Sequence, residues 1–190
     1  MESSKSLNQM KICESIPHST VRTMLDLIEK SFAEDKEYGS VITSARELDG
    51  ITVGSQRQVS LPLQSPSFHT HPGGHPNPSA ADIRLSIMGN KGFFCVGSKN
   101  GSRPVVKCFI NRENNAGYQG IKQKMMQLQN AVDSYWATMQ TKYGDVTSRG
   151  SIRDERDKSQ GKELLDKRFS LSKETVENID KYLDVCELNL

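Results

Sequence analysis

Histidine is scarce in this chain and stops early. Four of the 190 residues are histidine (18, 69, 71 and 75), and none follows position 75. Metal sites of the amidohydrolase, cupin and metallo-β-lactamase kinds need further downstream histidines or an Asp-His directly after a histidine pair, so the count excludes them. A helical H-E-x-x-H is absent, as is the H-x-E with P-C-x-x-C of zinc deaminases. Cysteine is also sparse, at positions 13, 95, 108 and 186. With no C-x-x-C pair, neither a zinc ribbon nor a thioredoxin-like site is expected. These cysteines read as reduced thiols of a cytoplasmic protein, with Cys95 and Cys108 buried in apolar runs. No sign of charge dominates: 25 Lys and Arg face 23 Asp and Glu. With one tryptophan and no basic stripe interleaved with aromatics, a nucleic-acid surface is not expected. No apolar run nears the roughly 20 residues that span a bilayer. The polar N-terminus lacks the apolar centre of a signal peptide, and no membrane partner is expected.

What is present reads as strands interleaved with helices. Met10 to Cys13 fits a short strand. Val21, Met24, Leu25, Ile28 and Phe32 follow a 3.6-residue period, the mark of an amphipathic helix. Tyr38 to Ser44 is rich in β-formers, and a second extended run reaches from Ile51 to Leu61 with Asp49-Gly50 as its turn. Ser79 opens a helix to about Met88. Two apolar runs joined by Lys99-Asn100-Gly101 then predict a hairpin. This alternation places residues 1–112 in the α/β class. In residues 113–146, Ile121, Met125, Leu128, Val132, Tyr135, Met139 and Tyr143 form an a/d-like seam on a long helix. The seam at 121–143 packs either on the core or on a partner, including a second copy. Residues 147–171 read as a charged flexible linker, since only Ile152 is apolar between 147 and 163. Ser172 then caps a C-terminal helix (172–190) whose apolar face is Val176, Ile179, Leu183 and Cys186, with Leu171 and Val176 as a staple.

The densest chemistry lies between 69 and 82. His69 and His71, two apart at a strand end, project to one face. Asp82 returning to that face makes a set of two nitrogens and one oxygen with a fourth position open, the pattern of a catalytic zinc. Ser79-x-x-Asp82 alone is also a capping-box helix start. The spacing of the whole set is what argues for a metal.

His69-Thr70-His71, seven residues, Ser79, two residues, Asp82 resembles the JAMM motif of the JAB1/MPN/Mov34 zinc metalloproteases, over about residues 11–111. The family's upstream glutamate is matched by Glu37 in Glu37-Tyr38-Gly39-Ser40, where Ser40 departs from the glycine of the prokaryotic variant; Glu34 is the second candidate. The resemblance implies an MPN fold (cytidine-deaminase-like), a three-layer core with a mixed β-sheet flanked by helices, here with a C-terminal helical extension. It implies one zinc per chain on His69, His71 and Asp82. Glu37 is then the general base and Ser79 the oxyanion donor. The implied activity is an isopeptidase or peptidase cleaving after the C-terminal tail of a ubiquitin-like modifier or sulfur carrier protein. Two alternatives stand beside it, a non-catalytic MPN scaffold and a JAMM hydrolase of another amide. Scaffold members generally lose motif residues, and here all five are present. His75 reads as an exposed loop histidine or one touching substrate or a second metal, His18 as structural or exposed, Gly73 and Gly74 as turn formers, and Thr70 as pointing to the other side of the sheet.

Overall fold

The computed structural model describes residues 7–144 and 152–188. Six strands form one mixed sheet in the order β2-β1-β3-β4-β5-β6. They are β1 (Tyr38–Ile42), β2 (Leu48–Val53), β3 (Ser67–Thr70), β4 (Phe93–Asn100), β5 (Arg103–Asn111) and β6 (Leu183–Glu187). Only β3 and β4 run parallel, joined through helix α3 (Ala80–Gly89); the other pairs are antiparallel. The class is α/β.

Period-two alternation divides the core. Phe68, Phe93 and Cys95 face α1 (Leu7–Ser15) and α2 (His18–Glu34), packing with Met24 and Ile28. Phe94 and Val96 face the other way, toward Ile83 and Ile87 of α3 and Tyr118 and Ile121 of α4 (Ala116–Tyr143). Helices therefore cover both faces. The α4 seam is spent inside the chain: its first half joins this second cluster, while Tyr135 and Met139 pack with Ile152 and Leu164.

Several expectations are overturned. Residues 10–13 lie in α1, not in a strand. Asp49-Gly50 sits within β2; the turn is at 43–46, where Arg46 donates to the Thr43 carbonyl and takes a left-handed φ of 63°. The second extended run ends at Val53 rather than Leu61. The expected linker is helical from Glu155 onward, in α5 (Glu155–Glu177), and its first residues, 147–151, lie outside the described residues. Asp154 caps α5 by accepting from Arg156 and Asp157 amides, and acidic residues fill the first turn, as the helix dipole favours. Ser172 is thus not a cap but an interior residue, its hydroxyl bonded to the Arg168 carbonyl. The expected last helix ends early. After the short α6 (Ile179–Tyr182) the chain becomes β6, because the β5 edge offers unpaired backbone groups that a strand satisfies.

The reduced-thiol expectation also fails. Cys95 pairs with Cys108 across β4 and β5, and Cys13 pairs with Cys186, tying α1 to β6. Disulfides are the exception in a reducing cytosol, so the expected cytoplasmic location loses its cysteine argument. Among the described residues no helix is long and apolar enough to cross a membrane.

Candidate metal centre

Strand β3 turns Ser67, His69 and, just beyond its end, His71 to one face. Thr70 goes to the other, as expected: its hydroxyl donates to Ser31 of α2 (2.8 Å) and accepts from the Tyr38 amide (2.8 Å). Past His71 the chain loops through Pro72 to Pro78 and enters α3 at Ser79. There the capping box is real. The Asp82 amide donates to Ser79 Oγ (3.2 Å), and the Ser79 amide donates to Asp82 Oδ2 (2.7 Å). The structural and the metal readings of Ser-x-x-Asp therefore coincide, because the cap is what fixes the Asp82 carboxylate toward the histidines.

The three donors converge. His69 Nε2 and His71 Nε2 are 3.1 Å apart, Asp82 Oδ1 lies 3.4 Å from His69 Nε2, and Oδ2 lies 3.5 Å from His71 Nε2. An ion with bonds of ~2.0 Å in tetrahedral array separates its ligand atoms by about 3.3 Å, so the set fits a small divalent cation. The group is able to hold a metal ion. His71 is pre-set for this. Its Nδ1 lies 3.3 Å from the His75 carbonyl, which only accepts, so a proton on Nδ1 satisfies that contact and frees Nε2 to ligate when the ring is neutral. His75 thus acts through its backbone while the residue itself is exposed, and His18 is exposed too. Phe94 stacks on His69 at 6.5 Å between centroids and limits its ring movement.

Glu37 stands just before β1. Gly39 is the register partner of His69, so Glu37 falls alongside His71. Its amide donates to the Ser55 carbonyl and its carbonyl accepts from Gly54, both at 2.8 Å. The side chain is buried and shares a cleft of about 330 Å³ with His69, His71, Ser79 and Asp82. Glu34 is occupied elsewhere, accepting from the Tyr38 hydroxyl (2.6 Å). The structure therefore brings Glu37, and not Glu34, to the cleft.

Electrostatics separates the two carboxylates. Burial raises the Glu37 pKa; the histidines and a hydrogen bond from the Val59 amide offset it in part, while Asp82 adds to the rise. Burial also opposes ionisation of Asp82, but the His69 charge and hydrogen bonds from His69, His71 and Ser79 outweigh it and hold Asp82 well below its usual range. One carboxyl is tuned to take a proton and the other to stay an anion. For His71, burial opposes protonation, yet Asp82 outweighs it and the net pKa is raised. The cleft residues not foreseen include Val59, Arg84, Lys91 and Phe94. Arg84 follows Asp82 on α3, whereas Val59, Lys91 and Phe94 are brought in by folding.

The chain matches no protein-family model, and no curated protein matches it. The site must be read from its own geometry.

Proposed function

We propose that this protein is a zinc-dependent hydrolase of the JAMM type with an MPN core, cleaving the peptide or isopeptide bond after the C-terminal tail of a ubiquitin-like protein. One observation carries the reading: a two-histidine, one-aspartate set at tetrahedral spacing shares a cleft with a buried, separately tuned glutamate.

His69, His71 and Asp82 hold the metal, one per chain. Bound there, zinc supplies Lewis acidity that makes water nucleophilic near neutral pH. Glu37, held by the Val59 amide and biased toward protonation by burial, takes the proton of the attacking water and delivers it to the leaving amine. Ser79 uses its oxygen lone pair in the cap, which leaves its hydroxyl proton to meet the developing oxyanion. The substrate tail lies as an added strand along β2, an edge strand whose Ile51 and Val53 are more than half exposed. Leu61 and Val59, whose side chains stand over Gly39 of β1, line the cleft.

The test is zinc content per chain together with cleavage of a panel of ubiquitin-like fusions by wild type and Glu37→Gln. Near-stoichiometric zinc in both proteins, with cleavage by wild type alone, is expected. Turnover by Glu37→Gln sinks the base assignment. Failure to take up zinc overturns the whole reading and promotes a scaffold role.

A further inference from the structure

Lys91 is a buried cation that the proposed hydrolysis does not use. It sits between α3 and β4, is 8% exposed, and lines the same cleft as the donor set. Its ammonium gives one hydrogen bond, to Ser67 Oγ at 3.1 Å. Among the described residues no carboxylate stands within ion-pair distance of it. An ammonium has three donors, and a buried charge is ordinarily paired. Burial pulls its pKa down, with the Asp82 charge opposing. Neighbouring charge points the same way: the cleft carries Arg57, Arg84 and Lys91 against only Glu37 and Asp82, and a bound divalent ion adds to the excess. The cleft is built for an anion.

Position says which part of the substrate bears that anion. Ser67, His69 and His71 form one row on the metal face of the sheet. Glu37 stands at the His71 end, and Lys91 stands on Ser67 at the other. Two residues of strand span about 6.6 Å, the length of an extended dipeptide. A carboxylate seated on Lys91 therefore leaves the amide bond two residues upstream beside the donor set.

We propose that Lys91 is the substrate-carboxylate anchor, and that the preferred leaving group is a C-terminal dipeptide with a free α-carboxylate rather than a lysine side chain within a protein. The inference rests on the hydrolase reading and narrows it from isopeptidase to C-terminal trimming. Water adds across the amide: the C–N bond breaks, the acyl carbon gains the hydroxyl, and the nitrogen leaves as an amine carrying the proton from Glu37.

The test compares pairs of acetylated tripeptides that differ only in a free carboxylate or a carboxamide at the C-terminus. Binding to the zinc-loaded full chain is measured by calorimetry, and cleavage by kinetics. Wild type is expected to bind the acids about tenfold more tightly than the amides, the worth of one charge-assisted pair. Lys91→Gln, which keeps a donor for Ser67 but removes the charge, should erase that preference by raising KM for acids, with zinc content unchanged. Lys91→Arg should restore part of it. Equal binding of acids and amides by wild type overturns the anchor, as does a preference that survives in Lys91→Gln. If the preference depends on Lys91 but neither peptide is cleaved, the anchor stands and the hydrolase reading fails.

Discussion

The metal end of the sheet and the α4–α5 arm are built on opposite terms. At the metal end, thirteen residues of sequence separate His69 from Asp82, and a strand end, a loop and a helix cap position the donors through mainly local hydrogen bonds. In the arm, Tyr135 reaches across to the Asp157 carbonyl (2.9 Å), while Lys142 (2.6 Å) and Tyr143 (2.7 Å) both donate to the Asp157 carboxylate. These contacts exist only once two helices have met. Local geometry can be written in a motif, whereas docking cannot.

The sharpest way to break the comparison is to remove one donor. Asp82→Ala should abolish zinc uptake and all turnover, and remove half of the α3 cap at a cost of about 1 kcal/mol. Metal analysis and thermal melting check both. The arm contacts should survive, and their loss would show that site and arm are one cooperative unit. Reduction comes next. The Cys13–Cys186 bridge closes a separation of 173 residues. Opening it should cost roughly 5 kcal/mol in the chain-entropy picture, read as a lower melting temperature of the Cys13→Ala, Cys186→Ala variant with zinc content intact.

The arm has its own tight point at Gly161. A Cβ built there would stand 2.3 Å from the Tyr135 hydroxyl. Gly161→Ala should therefore push the helices apart and destabilise by about 1–2 kcal/mol, despite alanine's better helix propensity. Hydrogen exchange should rise in α5 and not in β3.

The mildest effect separates the two regions by pH. His71 has a raised pKa, and a histidine must be neutral to bind metal, so protons compete with zinc and drive its release as pH falls into the acid range. The Asp157 pKa is lowered by its bonds from Lys142 and Tyr143. Its unfolded state thus binds protons first as pH falls. The clasp contributes fully above the ordinary carboxylate value, and its contribution is lost as pH falls through the lower folded one. Arm opening should accordingly begin only below about pH 4, well after metal release. A single joint transition, by zinc release and helix fluorescence at Trp136, would remove the distinction.

The same contrast decides what was legible. His69, His71, Ser79 and Asp82 were readable because period two in a strand and a capping box at a helix start are local rules. Glu37 was readable only through the family resemblance, since its place beside His71 is a matter of strand register. The apolar residues Val176, Ile179, Leu183 and Cys186 have helical spacing, yet the last two lie in β6, where the free β5 edge and the bridge to Cys13 override local preference. Residues 155–163 looked like a linker because they are almost wholly polar. They are helical because Asp154 caps them and Gly161 lets α4 approach. The disulfides followed no sequence spacing: Cys95 and Cys108 are partners because the β4–β5 register sets them opposite one another. Lys91 escaped notice because a lysine at a helix end is ordinarily solvated.

By itself the sequence determined the α/β class, the clustering of His69, His71 and Asp82 and the long helix, each of which needs only periodicity or spacing within a short stretch of chain. Tertiary structure alone decided the sixth strand, the cysteine pairing, the docked arm and the cation on the floor of the cleft. Those depend on which distant backbone edges and helix faces come together, and the free energy that selects them appears only when they are buried.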